Sequence, residues 1–252
     1  HHESGHGQNE VDFRYAGALE TADNVMMFKQ IVRAIASRNG LHASFMPKPL
    51  ADEAGSGLHI NLSLSRDGRN LFEGDIAPDS TAGHFMAGIL AHVREFTAYT
   101  NPIPNSYARF GSCEAPRYVS WSRQNRSQLV RIPAVKGSAC RMELRSPDPA
   151  CNPYLAFALI IAAGLDGIEK ELPLPASVNK NLFTPGEAAG LTCLPLSLED
   201  AIAAARESAL LAGTLPAGLA ARYYAEQERR CADCAAAPDP AEYEREKYFI
   251  SV

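Results

Sequence analysis

Three short stretches of this chain alternate strictly between polar and apolar residues. In Gly57-Leu58-His59-Ile60-Asn61-Leu62-Ser63-Leu64 the polar positions are His59, Asn61 and Ser63. In Cys140-Arg141-Met142-Glu143-Leu144-Arg145 they are Arg141, Glu143 and Arg145, and in Glu10-Val11-Asp12-Phe13-Arg14-Tyr15 they are Glu10, Asp12 and Arg14. Side chains of a strand point to opposite faces with period two, so each run predicts a strand with one face on a core. A solvated sheet face usually carries Lys, Thr and Ser. Here it carries Glu, His and Arg, a lining suited to metal ions and anionic oxygens.

At 252 residues, with 46% hydrophobic and 21% charged residues, the chain can bury a sizeable core. Its net charge of −5 argues against a general binder of nucleic acid or membrane surfaces, which would be basic. The six cysteines are scattered in a chain too large to need disulfide staples, so reduced thiols are expected. Cys231-Ala-Asp-Cys234 has no second pair nearby to complete a four-ligand zinc site. The longest apolar run, Tyr154 to Leu165, is too short to span a bilayer, and a cytoplasmic location is expected. The chain starts at His1-His2-Glu3 without Met, so it reads as cut from something longer.

Residues 1–15 read as a hairpin with Gly5 and Gly7 in its turn. A helix follows over 21–39, with Val25, Phe28, Val32 and Ile35 at helical spacing. A second covers 80–99, with Phe85, Ile89, Val93 and Phe96 on one face, and its His84 and His92 read as surface residues. Asn152-Pro153 starts a buried helix, the stretch 171–196 reads as a long loop, and Ser197 opens a helix over 201–211. Further helices are expected over 219–233 and 241–248. The expected class is α+β, one domain over 1–252. It has a mainly antiparallel, curved sheet with a polar metal- and arginine-lined face (1–170), flanking helices, and a helical tail (197–252).

Glu3 and Glu10 can face one side across a glycine turn, and paired carboxylates call for a cation. His59 and Glu143 could complete a second coordination sphere, and oxygen-rich ligation with one imidazole suits magnesium or manganese. Each residue taken alone reads better as a surface salt bridge; the four together on patterned strands favour metal. Arg109, Arg126, Arg131, Arg141 and Arg145 supply planar guanidinium forks matched to carboxylate and phosphate. Metal plus arginines describes a site for polyanionic phosphates and a carboxylate substrate. Arg126 and Arg131 have opposite parity, so a bulge or loop at Arg126 is required for both to line one site. No Gly-x-x-x-x-Gly-Lys loop is present.

The motifs His1-His2-Glu3, Gly7-Gln8-Asn9-Glu10, Phe45-Met46-Pro47-Lys48-Pro49 and Gly55-Ser56-Gly57-Leu58-His59 occur in order. So do Asn101-Pro102, Asn105-Ser106-Tyr107, Glu114-Ala115-Pro116, Asn125-Arg126-Ser127, Arg131-Ile132-Pro133, Arg141-Met142-Glu143-Leu144-Arg145 and Asn152-Pro153-Tyr154. In this order they resemble glutamine synthetase of the bacterial type I class, continuously to about residue 170 and weakly beyond. The resemblance implies ATP-dependent ligation of ammonia to glutamate through a γ-glutamyl phosphate, with Mg2+ or Mn2+. It implies Glu3 and Glu10 as ligands of one metal, His59 and Glu143 of the other, and Gly55 and Arg109 as contacts to glutamate. Arg145 would lie at the reacting carboxylate, and Arg126 and Arg131 at the transferred phosphate and ATP. Asn61 and Arg141 belong to the nucleotide side, and Glu114 to a flap closing over the intermediate.

Several departures bear on that expectation. Asn61 stands where such enzymes usually carry a second His, and Ala54 where they carry Asn. Phe183 occupies the place of a tyrosine that some members adenylylate, which excludes that regulation here. The family's small N-terminal domain is missing, so the fragment alone is expected to be inactive; the full-length relatives form dodecamers with sites shared between subunits. The alternatives are a ligase of glutamate to an amine, and a non-catalytic paralogue. A metallohydrolase would want a close His pair, which is not present.

Overall fold

The computed structural model describes residues 2–113, 115–123 and 125–252. Among them are seven α-helices and six short strands. The chain opens with a turn closed by an antiparallel bridge between His2 and Asn9, and Gly7 supplies its left-handed residue at φ 70°. The expected strand over 10–15 does not form. Val11 (53% exposed) and Tyr15 (83% exposed) lie on the surface. No strand among the described residues pairs with the segment, so its alternation has nothing to bury.

Helix α1 (Ala18–Arg38) follows. Of the face at helical spacing only Val25, with Ala22, is buried; Ile35 is 53% exposed. The helix packs against α3 (Pro153–Glu169), and its Phe28 meets Phe13 and Phe45 edge to face, which together cover only part of its apolar stripe.

The main sheet has the order β1 (Ile60–Leu62), β6 (Met142–Leu144), β5 (Val130–Arg131), β4 (Trp121–Ser122). The β1–β6 and β6–β5 pairings are antiparallel and β5–β4 is parallel. Two further strands, β2 (Ser65–Arg66) and β3 (Arg69–Asn70), form a separate antiparallel ribbon. The register sets Asn61 opposite Glu143, Glu143 opposite Arg131, and Arg131 opposite Ser122. Four polar residues therefore form one row across the sheet, at the spacing where cross-strand neighbours touch.

Behind the sheet, α2 (Thr81–Thr100) runs through the core with Phe85, Ile89, Val93 and Phe96 fully buried. Ser80 caps it by accepting the Gly83 N–H at 3.0 Å. Asn152 caps α3 by accepting from the amides of Tyr154 and Leu155. The two helices approach until their backbones touch: a Cβ on Gly88 would lie 2.1 Å from the Ala163 carbonyl oxygen, and one on Gly167 would lie 2.2 Å from that of His84. Only glycine fits such a crossing. The helix expected over 201–211 is two helices, α4 (Leu198–Arg206) and α5 (Ala209–Thr214). The break falls at Ser208, whose hydroxyl takes the Leu211 N–H and restarts the helix. The chain ends with α6 (Ala217–Ala236) and α7 (Pro240–Tyr248). No described helix is long and apolar enough to cross a membrane.

His84 and His92 are not surface residues. His84 Nδ1 contacts the Leu172 carbonyl oxygen at 2.8 Å. The His92 ring lies between two carboxylates, 2.9 Å from Glu95 and 2.8 Å from Asp166, and Lys170 also bonds Asp166 at 2.8 Å. Only a doubly protonated ring donates to both carboxylates at once. Ser208 at the start of α5 donates to Glu95, extending the network across three helices.

Two outcomes follow from this packing. Gly88→Ala forces the α2–α3 crossing apart and lowers stability by about 1–3 kcal/mol in urea unfolding; an unchanged midpoint would contradict the close approach. His92→Leu removes one donor from each of Glu95 and Asp166, which keep Ser208 and Lys170, and costs about 0.5–1.5 kcal/mol. Although burial opposes it, Lys170 and His92 hold the Asp166 carboxyl below its ordinary 3.8. Its contribution is present at neutral pH and fades as pH falls below that value through the folded pKa. The difference between His92→Leu and the parent should therefore shrink in acid.

Candidate functional site

The centre of the polar row is the carboxylate of Glu143, buried on β6. Arg131 on β5 grips one oxygen with two donors, Nε at 2.7 Å and Nη2 at 2.6 Å. Arg145, buried beyond the end of β6, donates to the other oxygen at 2.6 Å. His59, just before β1, brings Nδ1 within 3.3 Å of that same oxygen. Burial presses the Glu143 carboxyl toward the neutral form, but His59, Arg145 and Arg131 outweigh it and hold it down at about 2. Burial also lowers the pKa of His59, against the pull of Glu143, which favours the neutral imidazole a metal ligand requires.

Arg109 enters from the short 3-10 helix Pro104–Arg109. It is buried, and it donates to the carbonyl oxygens of Ser146 at 2.9 Å and Arg145 at 3.2 Å. Asp148 supports it electrostatically from full burial, its carboxylate accepting from Asn101 at 2.8 Å and from the Ala150 amide at 2.9 Å. The glycine segment lies against these groups. A Cβ on Gly55 would sit 2.5 Å from Arg109 Cγ and 2.6 Å from the Pro47 carbonyl oxygen; one on Gly57 would sit 3.0 Å from both Arg109 Nη2 and His59 Nε2. Glycine is required there so that the backbone, not a side chain, borders the arginine.

Glu3 and Glu10 form a second, separate pair. Their mutual hydrogen bond, partial burial, and the charges of Glu3 and Asp12 raise the Glu10 carboxyl to about 7. Two carboxyls brought this close offer a site that a divalent cation would take. Gln8 ties this turn to the glycine segment by donating to the Gly55 carbonyl oxygen at 2.9 Å. Among the described residues no three His, Cys, Asp or Glu side chains converge as a ready cation cage. The donors come in two pairs, Glu3 with Glu10 and His59 with Glu143, and each pair has the ligand chemistry of Mg2+ or Mn2+.

Of the other expected residues, Asn61 accepts from Arg141 Nε at 2.8 Å, so the nucleotide-side pair is together. Arg141 also lines a cleft of about 340 Å3 with Phe72, Arg123, Ile132 and Lys136. Arg126 lies exposed in a turn between β4 and β5, the loop that its parity requires. Glu114 lies outside the described residues. Arg123 and Lys136 stand in no alternating run and in none of the recognised motifs, so nothing in the sequence pattern marks them. Gly57 could have been found from the Gly-Ser-Gly spacing beside His59.

The fold and site define an α+β domain whose sheet carries a buried carboxylate, an imidazole and converging arginines. The profile described as "Glutamine synthetase, catalytic domain" matches residues 1–246, and the chain belongs to that family. It is 50% identical over 210 residues to a glutamine synthetase of Methanosarcina mazei, covering 80% of this chain and 47% of that protein. It is 48% identical over 207 residues to one of Pyrococcus furiosus, again 80% and 47%. The chain thus spans about half the length of these curated relatives. Among solved structures it resembles "GmaS/ADP complex-Conformation 1", with TM-score 0.86, 39% identity and coverage of 97% of this chain and 58% of that one. "Apo GmaS without ligand" matches with TM-score 0.81 and 40% identity over 93% of this chain and 54% of that one. The fold is the glutamine synthetase catalytic-domain fold.

Replacing Glu143 by Ala leaves the Arg131 and Arg145 guanidinium groups facing one another without their shared anion. We expect a loss of roughly 3–5 kcal/mol in denaturant unfolding, the range for breaking a buried ion pair. A loss below about 1 kcal/mol, the scale of exposed pairs, would mean that the cluster is solvated.

Proposed function

We propose that the chain is the catalytic domain of an ATP-dependent ligase that joins ammonia to the side-chain carboxylate of glutamate. The observation that carries this reading is the gathering of Arg131, Arg145 and His59 on the single carboxylate of Glu143, with Arg109 behind the glycine segment. In the proposed reaction ATP phosphorylates the glutamate carboxylate, and ammonia displaces phosphate from the acyl phosphate. Arg109 and the Gly55 backbone orient glutamate. Arg145 neutralises its reacting carboxylate, and Arg126 and Arg131 neutralise the transferred phosphate. Arg141, Asn61 and the adjoining cleft take the nucleotide; that a nucleotide binds is supported by the ADP named with the similar GmaS structure.

Divalent metal ions held by Glu3 with Glu10 and by His59 with Glu143 would neutralise the phosphate oxygens. Glu114 is assigned the closing flap, because a dry site protects an acyl phosphate from water. The parent protein is read as a cytoplasmic homo-oligomer, a dodecamer by family resemblance, with the 252-residue chain by itself inactive.

Ala54 and Asn61 favour a second reading, in which a primary amine replaces ammonia, since both alter the lining where relatives carry Asn and His. The deciding measurement is phosphate release by the longest natural form of the protein with Mg-ATP and glutamate, comparing ammonia with a panel of primary amines. Ammonia-dependent release is expected. Release with amines alone would establish the second reading, and no release with either would overturn both.

A further inference from the structure

A second cavity lies apart from the Glu143 cluster. It occupies about 160 Å3 between Gly111, Arg117 and Tyr118 on one side and the loop 182–188 on the other, and Ser127 and Thr184 contribute to its wall. Among the described residues Arg117 is the one cation in that wall, and none of the wall's side chains is acidic. The Arg117 Nε is buried and has no hydrogen-bond partner among the described residues. A buried donor left without an acceptor is costly, and arginine is the costliest case because its charge must also be compensated.

The arginine is held in place from its backbone. Its carbonyl oxygen accepts from the Leu194 amide at 2.8 Å, and the next amide but one, on Val119, donates to Thr192 at 2.8 Å. An antiparallel bridge between Tyr118 and Cys193 lies between them. The side-chain stem runs against Gly111, whose φ of 88° turns a bare backbone toward it; a Cβ there would meet Arg117 Cδ at 3.4 Å. Ser127 is already engaged, donating to Asn125 and accepting from the Leu182 amide. Among the described residues the cavity therefore presents a positioned guanidinium and the Thr184 hydroxyl without a protein anion.

We propose that this cavity binds one small oxyanion, a phosphate or a carboxylate, through the Arg117 guanidinium. The volume admits such a group and excludes a nucleotide. A planar fork of donors is matched to either oxyanion. The proposal does not depend on the reaction assigned to the chain, since binding is read without catalysis.

The test is an NMR titration of the 252-residue protein that follows the arginine Nε–Hε signals at constant ionic strength, with inorganic phosphate in one arm and acetate in the other. Arg117→Lys identifies the signal by its disappearance and keeps the stem against Gly111. A saturable shift of the Arg117 signal is expected in at least one arm, and the arm that saturates at lower concentration names the oxyanion. In Arg117→Lys the accompanying shift of the Thr184 amide should weaken about tenfold, since a point charge replaces the fork. If that variant fails to fold, co-saturation of the Arg117 and Thr184 signals in the parent supports the site, and independent midpoints for the two count against it. A shift linear in concentration, or one that follows the Arg131 and Arg145 signals with their midpoint, would overturn the proposal.

Discussion

A carboxylate nearly out of water is tolerable only if its charge is met, and Glu143 is met from three directions. Arg131 arrives from the neighbouring strand, Arg145 from the same strand two residues on, and His59 from the approach to β1. Those partners cannot be exchanged for water without exposing the sheet, so the register of β1, β6 and β5 and the charge balance of the site are one constraint. Buried ion clusters are weak sources of stability but strong sources of uniqueness when one arrangement alone satisfies them. Here that arrangement also leaves two arginines and an imidazole around a single anion, where phosphate and carboxylate oxygens can be received.

The helices serve this cluster by holding the sheet rigid from behind. The α2–α3 crossing is close enough that Gly88 and Gly167 touch backbone, and the His92 network ties the outer end of the same pair to α5. Dense packing of this kind transmits little slack. The elements proposed to meet substrate are more local: the glycine segment leans on Arg109, and Gln8 fastens the Glu3–Glu10 turn to it. The two donor pairs thus belong to different parts of the chain, linked by the Gln8–Gly55 and His6–Glu53 hydrogen bonds.

Much of this architecture is legible in the residues alone. The alternation around His59 and Glu143 predicts two strands that do pair, and the parity argument anticipates the turn at Arg126. The caps at Asn152 and Ser197 start helices where expected, because a cap is a local hydrogen bond within three residues. The run Glu10 to Tyr15 carries the same alternation and forms no strand, since a strand exists only with a partner edge. The apolar stripe of α1 and the expected surface position of His92 fail for a related reason. Burial is a property of neighbours, and helix α3 covers less of α1 and reaches closer to His92 than periodicity can say.

The sequence alone identifies the family, through many motifs in one order, and sets Glu, His and Arg in alternating runs. It also determined the short-range devices, caps and glycine turns, whose physics is contained in a few residues. Tertiary structure alone decided that Glu143 meets Arg131, Arg145 and His59 rather than solvent, that glycines 88 and 167 face another backbone, and that Arg117 borders a cavity. Each of these joins segments separated by loops of a length no local propensity constrains. The balance of burial and charge among them is settled only when all the segments are packed at once.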